Sequence, residues 1–200
     1  EAESEGFAGA LSGVRALIRA PMLRAPFALF AGLLVLEGAT DVQIVALSLG
    51  KLGLGDGGPG LLYTVWGVGG LLGSALLLIL VRRRGYGLAL ALGALGFAAG
   101  IAVVGADGVP LALAAMIPAG LGFALVETAV MGLVPRLADD TVVGRVYALS
   151  EILYGGAAGV GALIAPLLID AFGAAGSFAV VGIAFGAGAM LAWRAYARLD

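Results

Sequence analysis

Residues 59–84 read PGLLYTVWGVGGLLGSALLLILVRRR, an apolar run from Pro59 to Val81 that ends in three arginines. A helix needs about 20 apolar residues to cross the hydrocarbon core of a bilayer. The run has that length and carries no charged residue before Arg82. It therefore predicts a membrane-spanning α-helix.

The composition of the whole chain supports the same interpretation. Of its 200 residues, 62% are hydrophobic and 12% are charged, whereas a soluble domain carries about 25% charged residues. The 35 glycines are compatible with membrane helices, which use glycine to bring backbones together. The composition excludes a water-soluble domain and makes the lipid bilayer the main partner of the chain.

Cysteine and histidine are absent from the sequence. Their absence removes disulfides, thiolate chemistry, imidazole metal ligands and histidine-based catalysis. The P-loop pattern G-x-x-x-x-G-K-[ST] is also absent, which disfavours ATP-driven pumping by this chain. We therefore expect no enzymatic activity, no metal, no cofactor and no nucleic-acid partner, and any proton chemistry must use carboxylates.

Six apolar runs of membrane-spanning length follow one another, separated by short charged or glycine-rich connections. Because the connections are short, consecutive helices must be antiparallel neighbours. The sequence predicts an all-α polytopic membrane protein. Residues 1–25 are predicted to form a cytoplasmic tail and an amphipathic connector helix, and residues 196–200 a cytoplasmic end where a further domain could be joined. The predicted spans are residues 26–50, 59–81, 87–106, 109–135, 142–172 and 174–195.

The basic residues are divided unevenly between the two sides of this arrangement. Lys and Arg near helix ends are retained in the cytoplasm. Lys51 alone falls on one side, so both termini are predicted to be cytoplasmic. The other ten of the eleven basic residues fall on the opposite side: Arg15, Arg19, Arg24, Arg82, Arg83, Arg84, Arg136, Arg145, Arg194 and Arg198.

An amphipathic segment precedes the first span. Arg15 and Arg19 lie four residues apart on its polar face, and Pro21 ends it. The pattern is typical of a helix that lies on the cytoplasmic leaflet and equally of a connector helix packed on protein. Its apolar side chains recur at helical spacing, at Phe7, Leu11, Val14, Leu17 and Ile18.

Two spans carry matching glycine clusters. The second contains Gly69 and Gly73, and the fifth contains Gly155 and Gly159, each pair in small-xxx-small spacing after an aromatic residue. Small residues at that spacing let another helix pack closely, so these glycines are predicted helix-packing interfaces. The match indicates two inverted three-helix repeats, although glycine clusters also coincide by chance in a glycine-rich membrane chain.

Two carboxyl groups lie near the middle of the first span. Glu37 and Asp41 are four residues apart and share one helix face. An Asp at a helix centre costs about 2.5–3.5 kcal/mol in a bilayer, so both groups should face a cavity or protein. With Trp66 and Glu127 they are the predicted proton and substrate pathway. The alternatives are that they only fix packing between helices, or that the span is wrongly placed.

Other residues suit structural or gating roles. Arg145 is predicted to form a cytoplasmic gate with Glu127 or Glu151, unless it simply extends to the interface. The stretch Asp139 to Thr141 is typical of the N-terminal cap of the fifth helix. Further candidates are Pro118 and Pro166 as hinges or static kinks, Tyr63 and Tyr154 as cavity aromatics, and Trp193 and Tyr196 as interfacial anchors.

Three local phrases carry a resemblance to a known family. They are GLLVLEGATD at residues 32–41, GVGGLLGSA at residues 67–75 with its RRRG at 82–85, and the stretch from Asp139-Asp140 to Gly144-Arg145-Val146. With six spans and an amphipathic lead-in, the chain resembles the C-terminal six-helix half of a major facilitator superfamily transporter. Bacterial drug and siderophore exporters are the members it is most similar to.

This resemblance implies a function and a setting. The chain is expected to be one half of a secondary transporter in the bacterial inner membrane, exporting a small organic solute by alternating access with protons as the coupling ion. Its partner would be a missing N-terminal half or a second copy. The alternative is a membrane anchor or sensor for an attached cytoplasmic domain, such as a cyclic-nucleotide-binding domain.

Overall fold

The chain folds into a bundle of long helices. In the part of the chain that is described, five long helices form it: α1 (Pro21–Leu49), α2 (Gly58–Arg83), α3 (Tyr86–Val104), α4 (Val109–Leu137) and α5 (Asp140–Leu191). The predicted all-α class is confirmed for the part of the chain that is described. The computed structural model describes residues 13–15, 17–18, 20–83, 85–138, 140–192 and 196, with the backbone alone at 140–142.

Each of these helices is long and apolar enough to cross a membrane. The five candidate spans range from 19 residues in α3 to 49 residues, Val143–Leu191, in α5. Repeated spans of this kind identify a multi-pass membrane protein. All five helices are therefore candidate membrane spans. The single helix α5 covers the predicted span 142–172 and most of the predicted span 174–195.

The helix α5 consists of two arms that meet at Gly173. Its 52 residues would extend about 78 Å as one straight helix, more than twice the thickness of the bilayer core. Gly173 breaks it with φ 72° and ψ 164°, a conformation that favours glycine. The break lies between the predicted fifth and sixth spans. We call residues 140–172 the first arm and residues 174–191 the second arm.

The contacts of the arms show that the chain reverses direction at Gly173. The first arm runs parallel to α1, because Tyr154 contacts Phe30 and Gly161 lies against Val35. The second arm runs antiparallel to α1, because its Phe185 lies against Gly32, while Tyr196, later in the chain, lines the same cavity as Ala25, earlier in α1. Within the described residues, six helical segments therefore run from one end of the bundle to the other.

Glycine brings the parallel helices of the bundle into backbone contact. Between α1 and the first arm, a Cβ at Gly38 would collide with the carbonyl oxygen of Ala158, and a Cβ at Gly161 with that of Val35. Without glycine at both positions these helices could not approach as closely as they do. Such small-residue contacts hold membrane helices together where lipid supplies no hydrophobic driving force.

The helices α2 and α4 form a second parallel pair of the same kind. Gly69 and Gly73 are buried against the backbone of Ile117 and Leu121, and Gly120 of α4 lies against the Trp66 carbonyl. The predicted interface of the second span is therefore used within the chain. By contrast, a Cβ at Gly155 or Gly159 would meet nothing within 4 Å in the described structure.

An aromatic cluster joins four segments in the interior of the bundle. The ring of Phe97 in α3 lies 6.0 Å from Trp66, 6.4 Å from Phe123 and 5.3 Å from Phe185 between centroids. These rings come from α2, α4 and the second arm. Phe97 itself is fully buried, so α3 is enclosed by its neighbours at this level.

The two ends of the bundle differ in charge. Alternation of helix direction brings the ends near residues 24, 82, 136 and 145 together, so their arginines share what we call the arginine end. The opposite end carries Lys51, and we call it the lysine end. Arg84, Arg194 and Arg198 lie outside the described residues, as do Trp193 and the predicted cap residue Asp139.

The segments before α1 and after α5 pack on the bundle at the residues that are described. Gly13 is buried, and a Cβ there would lie 2.7 Å from Leu149 Cβ, while Val14 and Ile18 face outward. Phe7, Leu11 and Arg19 of the predicted amphipathic segment lie outside the described part. Tyr196, predicted as an interfacial anchor, is 2% exposed and packs beside α1.

Gly161→Ala tests the close approach of α1 and the first arm. Its added methyl would meet the Val35 carbonyl oxygen, so we expect a loss of about 1–3 kcal/mol in stability. Gly159→Ala is the matched control, because a Cβ there meets nothing within 4 Å. Thermal unfolding in detergent should show a lower Tm for Gly161→Ala alone, and equal Tm values would contradict this packing.

Candidate functional site

The predicted pair Glu37 and Asp41 lies on one face of α1. Asp41 is exposed at the surface of the bundle and its Oδ1 accepts a hydrogen bond from the Tyr63 hydroxyl of α2. Glu37 is half-buried one turn earlier. The antiparallel packing of α1 and α2 brings Tyr63 to this level, and the phenol holds the Asp41 carboxylate in one orientation.

A second carboxylate and tyrosine pair links α4 to the first arm. Glu127 Oε1 accepts a hydrogen bond from the Tyr154 hydroxyl, and the Tyr154 ring packs edge-on against Phe30 of α1 at 5.5 Å between centroids. Both side chains are half-buried. The contact with Phe30 places this pair beside α1, the helix that carries Glu37.

Glu37 connects the two pairs. Its carboxyl interacts electrostatically with both Asp41 and Glu127, and Tyr154 interacts with Glu37 as well as Glu127. Glu151, on the first arm, also interacts with Tyr154. We call Glu37, Asp41, Glu127, Tyr63 and Tyr154 the carboxylate–tyrosine cluster.

Basic side chains do not neutralise this cluster in the part of the chain that is described. The ion pair found there joins Lys51 and Asp107, at the lysine end. Arg145 is exposed and forms no ion pair with Glu127 or Glu151 in the described structure, so the predicted gate is not formed in this conformation. The cluster therefore presents carboxylates and phenol hydroxyls with no fixed countercharge.

The cluster opens onto an uncovered face of the bundle. Asp41 is exposed and Tyr63 is 38% exposed. On the first arm, Glu151, Gly155 and Gly159 are spaced four residues apart, form one row along the helix, and are all exposed. Glu151 at the start of this row interacts with Tyr154, and a Cβ at Gly155 or Gly159 would meet nothing within 4 Å in the described structure.

Trp66 lies apart from the predicted pathway. It is half-buried, and its ring packs 5.7 Å from Phe123 and 6.0 Å from Phe97 between centroids. These contacts give it a role in joining α2, α3 and α4. The structure thus brings together Glu37, Asp41 and Glu127, but it places Trp66 in the aromatic cluster of the interior.

The chemistry available at the cluster is proton exchange and attraction of cations. A carboxylate accepts a proton or a positive charge, and a phenol is both a hydrogen-bond donor and an acceptor. Ionisable side chains at membrane depth are expensive and usually mark substrate or ion pathways. Among the described residues no group of three or more His, Cys, Asp and Glu side chains is arranged to hold a metal ion.

Sequence reasoning missed a contact at the lysine end. Lys51 Nζ lies 2.8 Å from Asp107 Oδ1 and donates to the Gly105 carbonyl oxygen, also at 2.8 Å. Gly105 caps the C-terminus of α3, where a positive charge complements the helix dipole. The sequence did contain a signal for it. Lys51 is the lone basic residue predicted for this side of the membrane, and Asp107 lies in another connection on the same side.

A proline-freed carbonyl at the arginine end was also missed. Pro135 has no N–H, so the Met131 carbonyl loses its partner within α4. The Tyr147 hydroxyl of the first arm donates to that carbonyl at 3.2 Å. Beside it, Arg136 lies over the Tyr86 ring at 4.9 Å, so α3, α4 and the first arm are tied together at this end.

Comparison of the chain with protein-family models, with curated proteins and with solved structures gives no match. Function must therefore be inferred from the residues themselves.

Lys51→Gln tests the contact at the lysine end. The hydrogen bond from Lys51 and its charge hold the pKa of Asp107 below its usual range, so we expect this pKa to rise toward that of a free aspartate in the variant. The stabilising pair is present above the ordinary aspartate pKa and is lost as the pH falls through the lowered value.

Carboxyl NMR titration of the protein in detergent measures this change. An Asp107 pKa that does not move in Lys51→Gln would contradict the pairing.

Proposed function

We propose that this chain is one six-helix half of a secondary transporter that exports a small organic solute in exchange for protons. The carboxylate–tyrosine cluster, open to one face of a membrane-embedded bundle, is the observation that carries the proposal. Exposed carboxylates cost about 2.5–3.5 kcal/mol each in lipid, so water or protein must cover this face. A central cavity shared with a second six-helix unit satisfies that requirement.

The proposed second unit is the N-terminal half of the same carrier or a second copy of this chain. The protein is proposed to lie in the bacterial inner membrane with both termini cytoplasmic, because the arginine end then faces the cytoplasm. The major facilitator resemblance suggests how the two halves work, by rocking around a cavity at the level of the cluster.

The proposed inverted repeat is supported by the pairing of parallel helices. If residues 21–104 and 109–191 are related, α1 corresponds to α4, α2 to the first arm and α3 to the second arm. The pair formed by α1 and the first arm then corresponds to the pair formed by α4 and α2. Both pairs are present, and glycine packed on a backbone carbonyl closes each of them.

Within the proposed cycle each part of the cluster has a role. Glu37, Asp41 and Glu127 exchange a proton for a positively charged or polar group of the solute. Tyr63 and Tyr154 orient two of these carboxyls and offer hydrogen bonds to either state. Tyr147 at Pro135 and the Arg136 to Tyr86 contact hold the arginine end while the cavity opens at the other.

Glu37→Gln and Asp41→Asn test this role in proteoliposomes that hold the whole carrier. With ethidium as the transported probe and an imposed pH gradient, each variant should lower the export rate roughly a hundredfold, because positioned proton transfer contributes 10²–10⁴-fold. Asp56→Asn is the control, because Asp56 is exposed in a loop outside the cluster. Unchanged rates and pH dependence in the single and double variants would contradict the proposal and favour an anchoring role.

Cysteine accessibility tests whether the open face is water-filled. The chain has no native cysteine, so a single thiol can be placed at will. Gly155→Cys and Gly159→Cys should react in membrane vesicles with a membrane-impermeant, positively charged methanethiosulfonate. Ile183→Cys, on the second arm where Ile183 is 67% exposed, should face lipid and stay unreactive. Equal reactivity at the three positions would contradict an aqueous cavity beside the cluster.

A further inference from the structure

Three polar side chains of α1 are buried without a hydrogen bond to the described residues: Thr40, Gln43 and Ser48. Thr40 is 1% exposed and Gln43 is 0% exposed. Thr40 Oγ1 and both amide atoms of Gln43, Oε1 and Nε2, have no hydrogen-bond partner among the described residues. Because the two residues are three apart on a helix, their side chains are neighbours on one face.

Two other buried hydroxyls, one on the first arm and one on the second arm, are satisfied by their own helices. Ser150 Oγ donates to the Val146 carbonyl at 3.1 Å, and Ser177 Oγ donates to the Ala174 carbonyl at 2.8 Å. Thr40 and Gln43 therefore differ from these two serines, whereas Ser48 Oγ, nearer the lysine end of α1, also lacks a partner among the described residues. Burying an amide without a hydrogen bond in apolar surroundings costs free energy, so we expect a bound molecule to pair with these atoms.

The chemistry of the free atoms selects that ligand. The Gln43 amide presents an acceptor, Oε1, and a donor group, Nε2, while the Thr40 hydroxyl is both. A metal cation would bind the oxygens and leave Nε2–H facing a positive charge, and an anion would do the reverse. A molecule that donates and accepts at once satisfies all of them, and water is the smallest such molecule.

We propose that Thr40 and Gln43 form a buried water-binding site inside the bundle. The site lies on α1, three residues from Glu37 and next to Asp41 in sequence, at the depth of the carboxylate–tyrosine cluster. It does not depend on transport, because it rests on the burial and hydrogen-bonding state of these two side chains. We therefore expect water to be bound there in the purified protein, in the absence of any transported solute.

Radiolytic hydroxyl labelling detects such water directly. A short X-ray pulse forms hydroxyl radicals from bound water, and these oxidise the side chains next to it even when bulk solvent does not reach them. Ile44 and Leu47, the next residues toward the lysine end, are both 0% exposed. In the purified protein we expect residue-resolved mass spectrometry to show oxidation at one or both of them.

The double variant Thr40→Val with Gln43→Met removes the polar atoms at nearly constant volume. We expect oxidation at Ile44 and Leu47 to fall several-fold in the double variant. In Thr40→Val alone, which keeps the shape of the side chain, we expect a smaller decrease. Ser150→Ala and Ser177→Ala are matched controls, since their hydroxyls are already bonded to carbonyls. Neither control should change the labelling.

Two outcomes would overturn the water site. One is a wild-type protein in which Ile44 and Leu47 remain unoxidised while exposed residues such as Leu191 are labelled. The other is equal oxidation of these two residues in the wild type and in the folded Thr40→Val variant and double variant. Circular dichroism on each sample confirms that the helices are intact before labelling.

Discussion

The close approach of helix backbones is the constraint on which the bundle depends. Lipid is as apolar as the helix surfaces, so burial of apolar side chains gains little and packing must hold the helices together. Gly38 and Gly161 bring α1 onto the first arm, and Gly69 and Gly73 bring α2 onto α4. These contacts set the register of the helices, and the register is what places Tyr63 opposite Asp41 and Tyr154 opposite Glu127.

The helical class followed directly from the sequence, because long apolar runs leave few alternatives in a bilayer. The choice of packing glycines did not. Gly155 and Gly159 have the same spacing as Gly69 and Gly73, yet the first pair faces open space and Gly161 makes the contact instead. Spacing identifies a smooth helix face, but it does not say which neighbour that face meets.

The candidate site was predicted in part for a similar reason. The pairing of Glu37 with Asp41 is local to one helix and is visible as a four-residue spacing. Glu127, Tyr63 and Tyr154 were candidates as well, but their hydrogen-bonded pairs join segments far apart in sequence and depend on helix order. Gln43 carried a signal that deserved weight, since an amide inside an apolar run is costly and usually has a purpose.

The reversal at Gly173 also bears on how the protein enters the membrane. A single residue joins two apolar arms, so neither arm can cross the bilayer far from the other, and the pair behaves as a helical hairpin during insertion. The connection that must be carried across holds little polar material, with Asp170 as its charged residue. The turn adds one non-helical residue to the segment that crosses, so few backbone groups beyond the helix ends must leave water during this step.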